Sequence, residues 1–227
     1  MAQVSALLLR TRRSVMKVFF RSVFRILFRI KISGRENVPR QGAYLICHNH
    51  VSILEPALLL AFWKTQPEAL GAAELWHRPG QSLAVRLYKA IPVQRGDYER
   101  SIFNKVIANL KTGKPMLIAP EGTRSHVPGM QRAEPGVAYL VEHTRVPVLP
   151  VAIIGTTDAN LRAAFRLARP ELRVIIGEPF TLPELAVRGK DRRLSRQENA
   201  DRVMQRIAAL LPEEYRGVYG SAIHQRA

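Results

Sequence analysis

In the stretch CHNHVSILEP, residues 47–56, His50 precedes Glu55 by five positions. An imidazole titrates near neutrality and can take a proton from a hydroxyl, while a carboxylate on its other nitrogen sets the tautomer and stabilises the imidazolium. On one continuous helix five residues turn about 500°, which leaves the two side chains some 140° apart, so contact requires a turn between them. Pro56 predicts that turn: proline favours the first helical position, which makes Glu55 the N-cap and leaves His50 in the loop above it. The competing arrangement has Ser52 as N-cap and Glu55 as the third helical residue of a capping box, with Pro56 where an N–H should make the first helical bond. A His–carboxylate pair is half of a hydrolase triad, yet Ser52 lies only two residues from His50 and no G-x-S-x-G elbow is present. The attacking hydroxyl is therefore expected from a substrate. His48, two residues upstream on a strand end, reads as structural.

Two more loops carry chemistry-bearing types. VQRGD (93–97) and PEGTRS (120–125) each follow an apolar run. Arg95 and Arg124 can hold phosphate oxygens in bidentate geometry, and Gly96 and Gly122 permit close backbone approach. Thr123 adds a hydroxyl, and Glu121 reads either as a partner for a substrate hydroxyl or as an ion-pair partner for an arginine.

The elements that must position these loops are short. AYLIC (43–47), EALGAA (68–73), IPVQ (91–94), PMLIAP (115–120), VAYLVEH (137–143), VPVLPVAII (146–154) and LRVIIGEP (172–179) are apolar runs. Helix-like segments fall at 56–63, 83–88 and 102–111. This alternation predicts one α/β domain with a largely buried central mixed sheet flanked by helices, whose functional residues sit on loops past strand ends. VRGKDRRLSRQ (187–197) reads as a solvated loop, and Ser195 with Glu198 as a capping box opening a last helix with a Val203, Ile207 and Leu210 or Leu211 stripe. Cys47 is the only cysteine, which excludes an intrachain disulfide and a cysteine metal cluster.

Lys and Arg total 35 against 18 acids, a formal charge of +17, and +9 of it lies within residues 1–40. Lys17, Arg21, Arg25 and Arg29 recur every fourth residue, a helical stripe, with Val15, Phe19, Val23, Ile26, Leu27 and Ile30 on the opposite arc. No acid occurs before Glu36. The pattern predicts a domain division at 1–32 and 33–227, the first part an amphipathic helix on an anionic membrane surface that Lys17, Phe19, Arg21, Arg25 and Arg29 contact. Spanning is disfavoured, because each central arginine costs roughly 2.5–3.5 kcal/mol on insertion scales. The competing expectation is a helix packed on the protein's own core. No RNA-binding signature supports a nucleic-acid partner.

Together these blocks resemble the 1-acylglycerol-3-phosphate acyltransferases, the PlsC-like glycerolipid acyltransferases, over roughly residues 33–180. Asn49-His50-Val51-Ser52-Ile53-Leu54-Glu55 matches their N-H-x-S-x-x-D box, Ile91 to Arg95 their second block, Pro120 to Ser125 their P-E-G-T-R-S block and Val146 to Pro150 their V-P-[VI]-x-P block. Glu55 stands for the usual Asp, Ala119 for a common Phe and Glu134 for a frequent Lys. The resemblance implies an acyltransferase of phospholipid synthesis, with acyl-CoA or acyl carrier protein as co-substrate and no cofactor or metal. His50 is then the general base oriented by Glu55, with Asn49 and Ser52 supporting. Arg95, Glu121, Gly122, Thr123 and Arg124 hold a lysophosphatidate-like acceptor. It also implies a peripheral protein of the cytoplasmic membrane face. Another lysolipid or glycerol 3-phosphate as acceptor, and hydrolysis of a thioester or lipid, are the competing chemistries; a basic non-enzymatic binder is the third class.

Overall fold

The apolar runs become seven strands: β1 (Arg29–Ser33), β2 (Leu45–His48), β3 (Glu68–Ala72), β4 (Ile91–Val93), β5 (Met116–Ile118), β6 (Val148–Ile154) and β7 (Glu171–Ile176). The computed structural model describes residues 2–94, 100–185 and 190–220. The strands form one mixed sheet in the order β1-β7-β6-β2-β5-β3-β4. From β6 through to β4 every pair is parallel; β7 runs antiparallel to β6, and β1 pairs parallel with β7.

Side chains alternate across a strand, and here both faces are covered, so the central strands are apolar throughout. Leu45, Cys47, Val148, Ala152 and Ile154 enter one core with α4 (Arg100–Lys111), α5 (Gly136–Thr144) and α7 (Lys190–Ala208). Tyr44, Ile46, Leu149, Val151 and Ile153 enter the other with α1 (Ala2–Leu27) and α2 (Leu54–Phe62). Cys47 is fully buried, and burial raises its thiol pKa, so it packs as an inert apolar group. Two shorter helices matter below, α3 (Gln81–Tyr88) and α6 (Asp158–Phe165). The segment VAYLVEH forms α5.

The N-terminal helix departs from its expected course. It stops at Leu27, and RIKIS turns to a period of two, with Ile30 and Ile32 half-buried between exposed Arg29, Lys31 and Ser33. The sheet therefore begins at Arg29, ahead of the expected boundary at residue 32, and Arg29 leaves the helical stripe. Phe24 and Phe28 are buried in the core, worth together about 3–6 kcal/mol. The basic stripe also turns partly inward. Arg21 donates through Nε and Nη2 to the Ala61 carbonyl at 3.1 and 2.8 Å, and Lys17 Nζ to the Lys64 carbonyl at 3.1 Å. Arg12 donates to the Arg86 and Leu87 carbonyls at the end of α3. These cations bond carbonyls at or just past the C-terminal ends of α2 and α3, where helix dipoles are negative, so Lys17 and Arg21 also hold α1 on its own domain. Phe19 and Arg25 do remain exposed. Arg13 is buried against Glu68, Nη2 to Oε2 at 2.6 Å, and pins α1 to β3. None of the described helices is long and apolar enough to cross a membrane.

The last long helix starts earlier than its capping signal. α7 already runs from Lys190, so Ser195 is interior rather than an N-cap. Arg192 and Arg196 both bond the Glu142 carboxylate of α5, the latter at 2.7 Å, which holds this basic stretch helical. Val203, Ile207 and Leu211 are buried as the stripe predicts.

Candidate active site

The strands β2, β5 and β6 are parallel, so their C-terminal ends deliver the loops beginning at Asn49, Ala119 and Gly155 to one edge of the sheet. Asn49 is buried and locks this edge, its Oδ1 accepting from Ile153 N–H at 2.8 Å and its Nδ2 donating to Ile153 O at 2.9 Å. It acts as a strut between β2 and β6, not as a substrate contact. His48 is fully buried with Nδ1 2.7 Å from the Asn49 carbonyl. Because a carbonyl only accepts, that nitrogen carries the proton; burial lowers the ring pKa to about 4, and the neutral imidazole is structural as expected.

His50 Nδ1 lies 2.8 Å from Glu55 Oε2, and the side chains are 15% and 0% exposed. The imidazole reaches the outside while the carboxylate does not. With Nδ1–H donating to the carboxylate, Nε2 keeps its lone pair for a proton from elsewhere.

How Glu55 gets there corrects the preferred arrangement. Helix α2 begins at Leu54 with Ile53 as N-cap, so Glu55 is inside the first turn and Pro56 follows it. Both Glu55 oxygens accept from Ser52 N–H, at 2.7 and 2.9 Å, and Ser52 Oγ accepts from Leu54 N–H at 3.3 Å. This is the carboxylate half of the capping-box arrangement, with Ser52 Oγ on Leu54 N–H instead of Glu55 N–H. Pro56 has no N–H to give the Ser52 carbonyl, so the α-helical ladder starts one residue later than the box alone would place it. The carboxylate thus caps the helix and holds His50 at once. Thr156, which the sequence motifs did not single out, donates its hydroxyl to Glu55 Oε1 at 2.5 Å. Its signal was positional: Gly155-Thr156-Thr157 directly follows β6. Burial pushes Glu55 up to about 7, and the bonds from Thr156 and Ser52, with the nearby His48, pull against that rise.

Glu121 lies on the second loop and is also buried. Its Oε1 accepts from His50 N–H at 2.8 Å and its Oε2 from Gln131 N–H at 2.8 Å, while Ser125 N–H donates to His50 O at 2.9 Å. Glu121 is therefore a clamp between the two loops, one backbone N–H on each carboxylate oxygen. Burial raises its pKa to about 7, and the nearby Glu55 adds to the rise.

Gly122 has φ +69°, a conformation that only glycine adopts without strain, and it is exposed beside the half-buried Thr123 and Arg124. A Cβ there would meet Glu134 Cγ at 3.1 Å, so the acidic substitution noted in the sequence stands next to this turn. Arg95 lies outside the described residues.

His50 and Arg124 open onto one cavity of about 360 Å³. Its walls are mainly apolar: Leu54, Ala57 and Leu60 of α2, Ala84 and Val85 of α3, and Met16 and Phe20 of α1. The N-terminal helix thus walls this cavity, a role its amphipathic pattern did not disclose. Within one pocket the fold joins an imidazole with a buried carboxylate partner, a guanidinium beside an exposed glycine turn, and mainly apolar walls.

The Acyltransferase family model matches residues 29–154, more than half of the chain, and the chain belongs to that family. A 1-acyl-sn-glycerol-3-phosphate acyltransferase of Pseudomonas aeruginosa is 32% identical over 129 residues, which are 55% of this chain and 49% of that protein. An uncharacterised protein of Mycobacterium tuberculosis is 24% identical over 238 residues, 87% of this chain and 65% of the other. The chain therefore spans about half to two thirds of the length of these relatives. The crystal structure of the 1-acyl-sn-glycerophosphate acyltransferase PlsC from Thermotoga maritima superposes with a TM-score of 0.61 at 22% identity, covering 84% of this chain and 78% of that one, and shows the shared fold.

Proposed function

We propose that the chain transfers a fatty acyl group from a thioester, acyl-CoA or acyl carrier protein, to the free hydroxyl of a lysophosphatidate-like acceptor. The observation that carries this is the His50–Glu55 pair at the mouth of an apolar cavity that Arg124 also lines. His50 Nε2 takes the hydroxyl proton as the oxygen attacks the thioester carbonyl. Glu55 stabilises the imidazolium, the C–S bond breaks, and the thiolate leaves with the proton returned from His50. Arg124, Arg95, Thr123 and the turn at Gly122 hold the phosphate, and the cavity takes an acyl chain. No cofactor beyond the thioester donor enters the scheme.

The test is a panel of lysophosphatidate, glycerol 3-phosphate, a neutral lysophospholipid and an amino-headgroup lysolipid, each with both donors. The amino lipid is included because Glu134 places a carboxylate beside Gly122. Thiol release that depends on lysophosphatidate and yields diacyl product supports the reading. Acceptor-independent release would make the protein a thioester hydrolase.

We also assign the protein to the cytoplasmic face of a membrane, on the outer side of α1. Val4, Leu7, Leu8, Val15, Val18, Phe19 and Ile26 are each about 60% exposed and recur at helical spacing. Deleting α1 would also strip Phe24 and Phe28 from the core, so substitution is the cleaner probe. Val15→Ser/Phe19→Ser/Ile26→Ser is expected to lose most sedimentation with vesicles containing phosphatidylglycerol while melting like the parent; unchanged sedimentation would remove the outer face from the account.

A further inference from the structure

A second, larger cavity lies on the same face of the sheet, at the end of α2 away from His50. It measures about 740 Å³, within the range of ligand sites. The two cavities lie on different faces of α2 and share one lining residue, Lys17. Lys17 and Arg21 of α1, Arg35 and Arg40 of the β1–β2 connection, and Lys64 after α2 surround it, against a single acid, Glu36. Among the described residues no salt bridge joins any of the five cations. Lys17 gives one bond to the Lys64 carbonyl and Arg21 two to the Ala61 carbonyl, which leaves further donors on both heads. Burial first, and then the adjacent Arg21, lowers the Lys17 ammonium pKa.

The interior is not polar. Half-buried Ile32, Val38 and Pro39 line it, over the buried Phe62 of α2, Trp63 just past that helix, and Val174 and Ile176 of β7. An inorganic anion would satisfy the cations and leave this surface unused. An anionic amphiphile uses both, with its phosphate among the cations and its chain across Ile32, Val38 and Pro39, above Phe62 and Trp63. The cavity also adjoins α1, whose outer face carries the exposed apolar stripe, so a lipid held here could stay continuous with the bilayer beneath that helix.

We infer that this cavity is a binding site for one anionic glycerophospholipid, separate from the pocket containing His50. The site makes no use of the reaction at His50, so it stands or falls independently of acyl transfer. Occupancy would neutralise the cations that hold α1 against α2, and α1 is also a wall of the first cavity. A lipid bound here would therefore brace that wall.

The experiment titrates the full chain, carrying Trp76→Phe so that Trp63 is the sole tryptophan, with monomeric dihexanoyl phosphatidylglycerol. Dihexanoyl phosphatidylcholine and inorganic phosphate serve as comparisons, read by calorimetry and by Trp63 fluorescence. Saturable one-to-one binding of the anionic lipid with a change in Trp63 emission is expected. Arg35→Ala/Arg40→Ala/Lys64→Ala, all exposed positions outside the carbonyl caps, should weaken it roughly a hundredfold, the combined contribution of three basic residues facing anionic lipid. Lys64→Glu alone should weaken it in the same direction, and both variants should melt and turn over like the parent in detergent. Equal binding of phosphatidylcholine, phosphate as tight as the lipid, unaltered affinity in the triple variant, or no binding at all would each overturn the assignment.

Discussion

His50→Ala is expected to lose acyl transfer by about 10²–10⁴-fold, the usual contribution of a positioned general base. Loss of a group that acts in the transition state lowers kcat and kcat/KM together. The acceptor KM should stay close to the parent's, because Arg124 and the Gly122 turn are untouched. The fold should survive as well. The His50 side chain is partly exposed, and its loop is held through the backbone, by Glu121 on the N–H and Ser125 on the carbonyl. Glu55 would lose one donor and keep Ser52 and Thr156. Turnover with lysophosphatidate and a thioester donor, beside a melting curve, checks this; parental turnover in the alanine variant would exclude His50 as the base.

Glu55→Gln is expected to cost a comparable factor by a different route. The amide has one oxygen where the carboxylate has two, and its NH₂ meets Ser52 N–H in either orientation, beside Thr156 in one and His50 Nδ1 in the other. Against Ser52 it sets donor against donor in a fully buried position. Facing His50 it turns Nδ1 into an acceptor and moves the imidazole proton to Nε2, the nitrogen that has to be empty. A wrong tautomer at an otherwise intact His–carboxylate pair can cost about 10⁴-fold. Glu55→Asp keeps the charge and should recover most of the rate lost in Glu55→Gln, which separates the electrostatic role from mere bulk. The pH dependence carries a second signature. Glu55 must be ionised to stabilise the imidazolium, and with its pKa pushed up to about 7 the ionised fraction falls as pH drops through that value. The parental rate should therefore decline on the acid side of about pH 7, a limb that belongs to the coupled pair, and Glu55→Gln should lose the carboxylate's share of it. Near-parental rates in Glu55→Gln would leave the carboxylate a helix cap and nothing more.

Much of this was legible because strands β2, β5 and β6 are unbroken apolar runs that end in polar loops, so the edge carrying His50, Glu121 and Arg124 could be located before any coordinates. The His50–Glu55 contact was legible too, while its geometry was not. Two capping schemes competed on the position of Pro56, and the hydrogen bonds from Ser52 settled in favour of the one that local preference disfavoured. Glu121 and Thr156 illustrate a deeper limit. Motif spacing shows that a residue lies near a site, but which donors surround its carboxylate or hydroxyl depends on loops brought together from distant segments. The N-terminal helix was legible as amphipathic, yet a basic stripe looks the same whether it meets lipid headgroups or the carbonyl ends of neighbouring helices. Here Lys17 and Arg21 bond carbonyls at and just past the end of α2, which the stripe alone did not disclose.

The pairing of β1 with β7 bears on how the chain is made. Arg29 finds its partner at Glu171, most of the chain later, so the first strand to be synthesised is among the last to be placed. Contacts of such long range slow folding and prolong the life of partly folded forms. Until β7 is complete, β1 lacks its strand partner, whereas α1 can already pack on α2 and β3 through Arg13, Arg21 and the Phe24–Phe62 contact. The strands that carry the His50 edge, β2, β5 and β6, all precede β7 in the chain, so the order of synthesis lets that edge assemble before the outer margin of the sheet is closed.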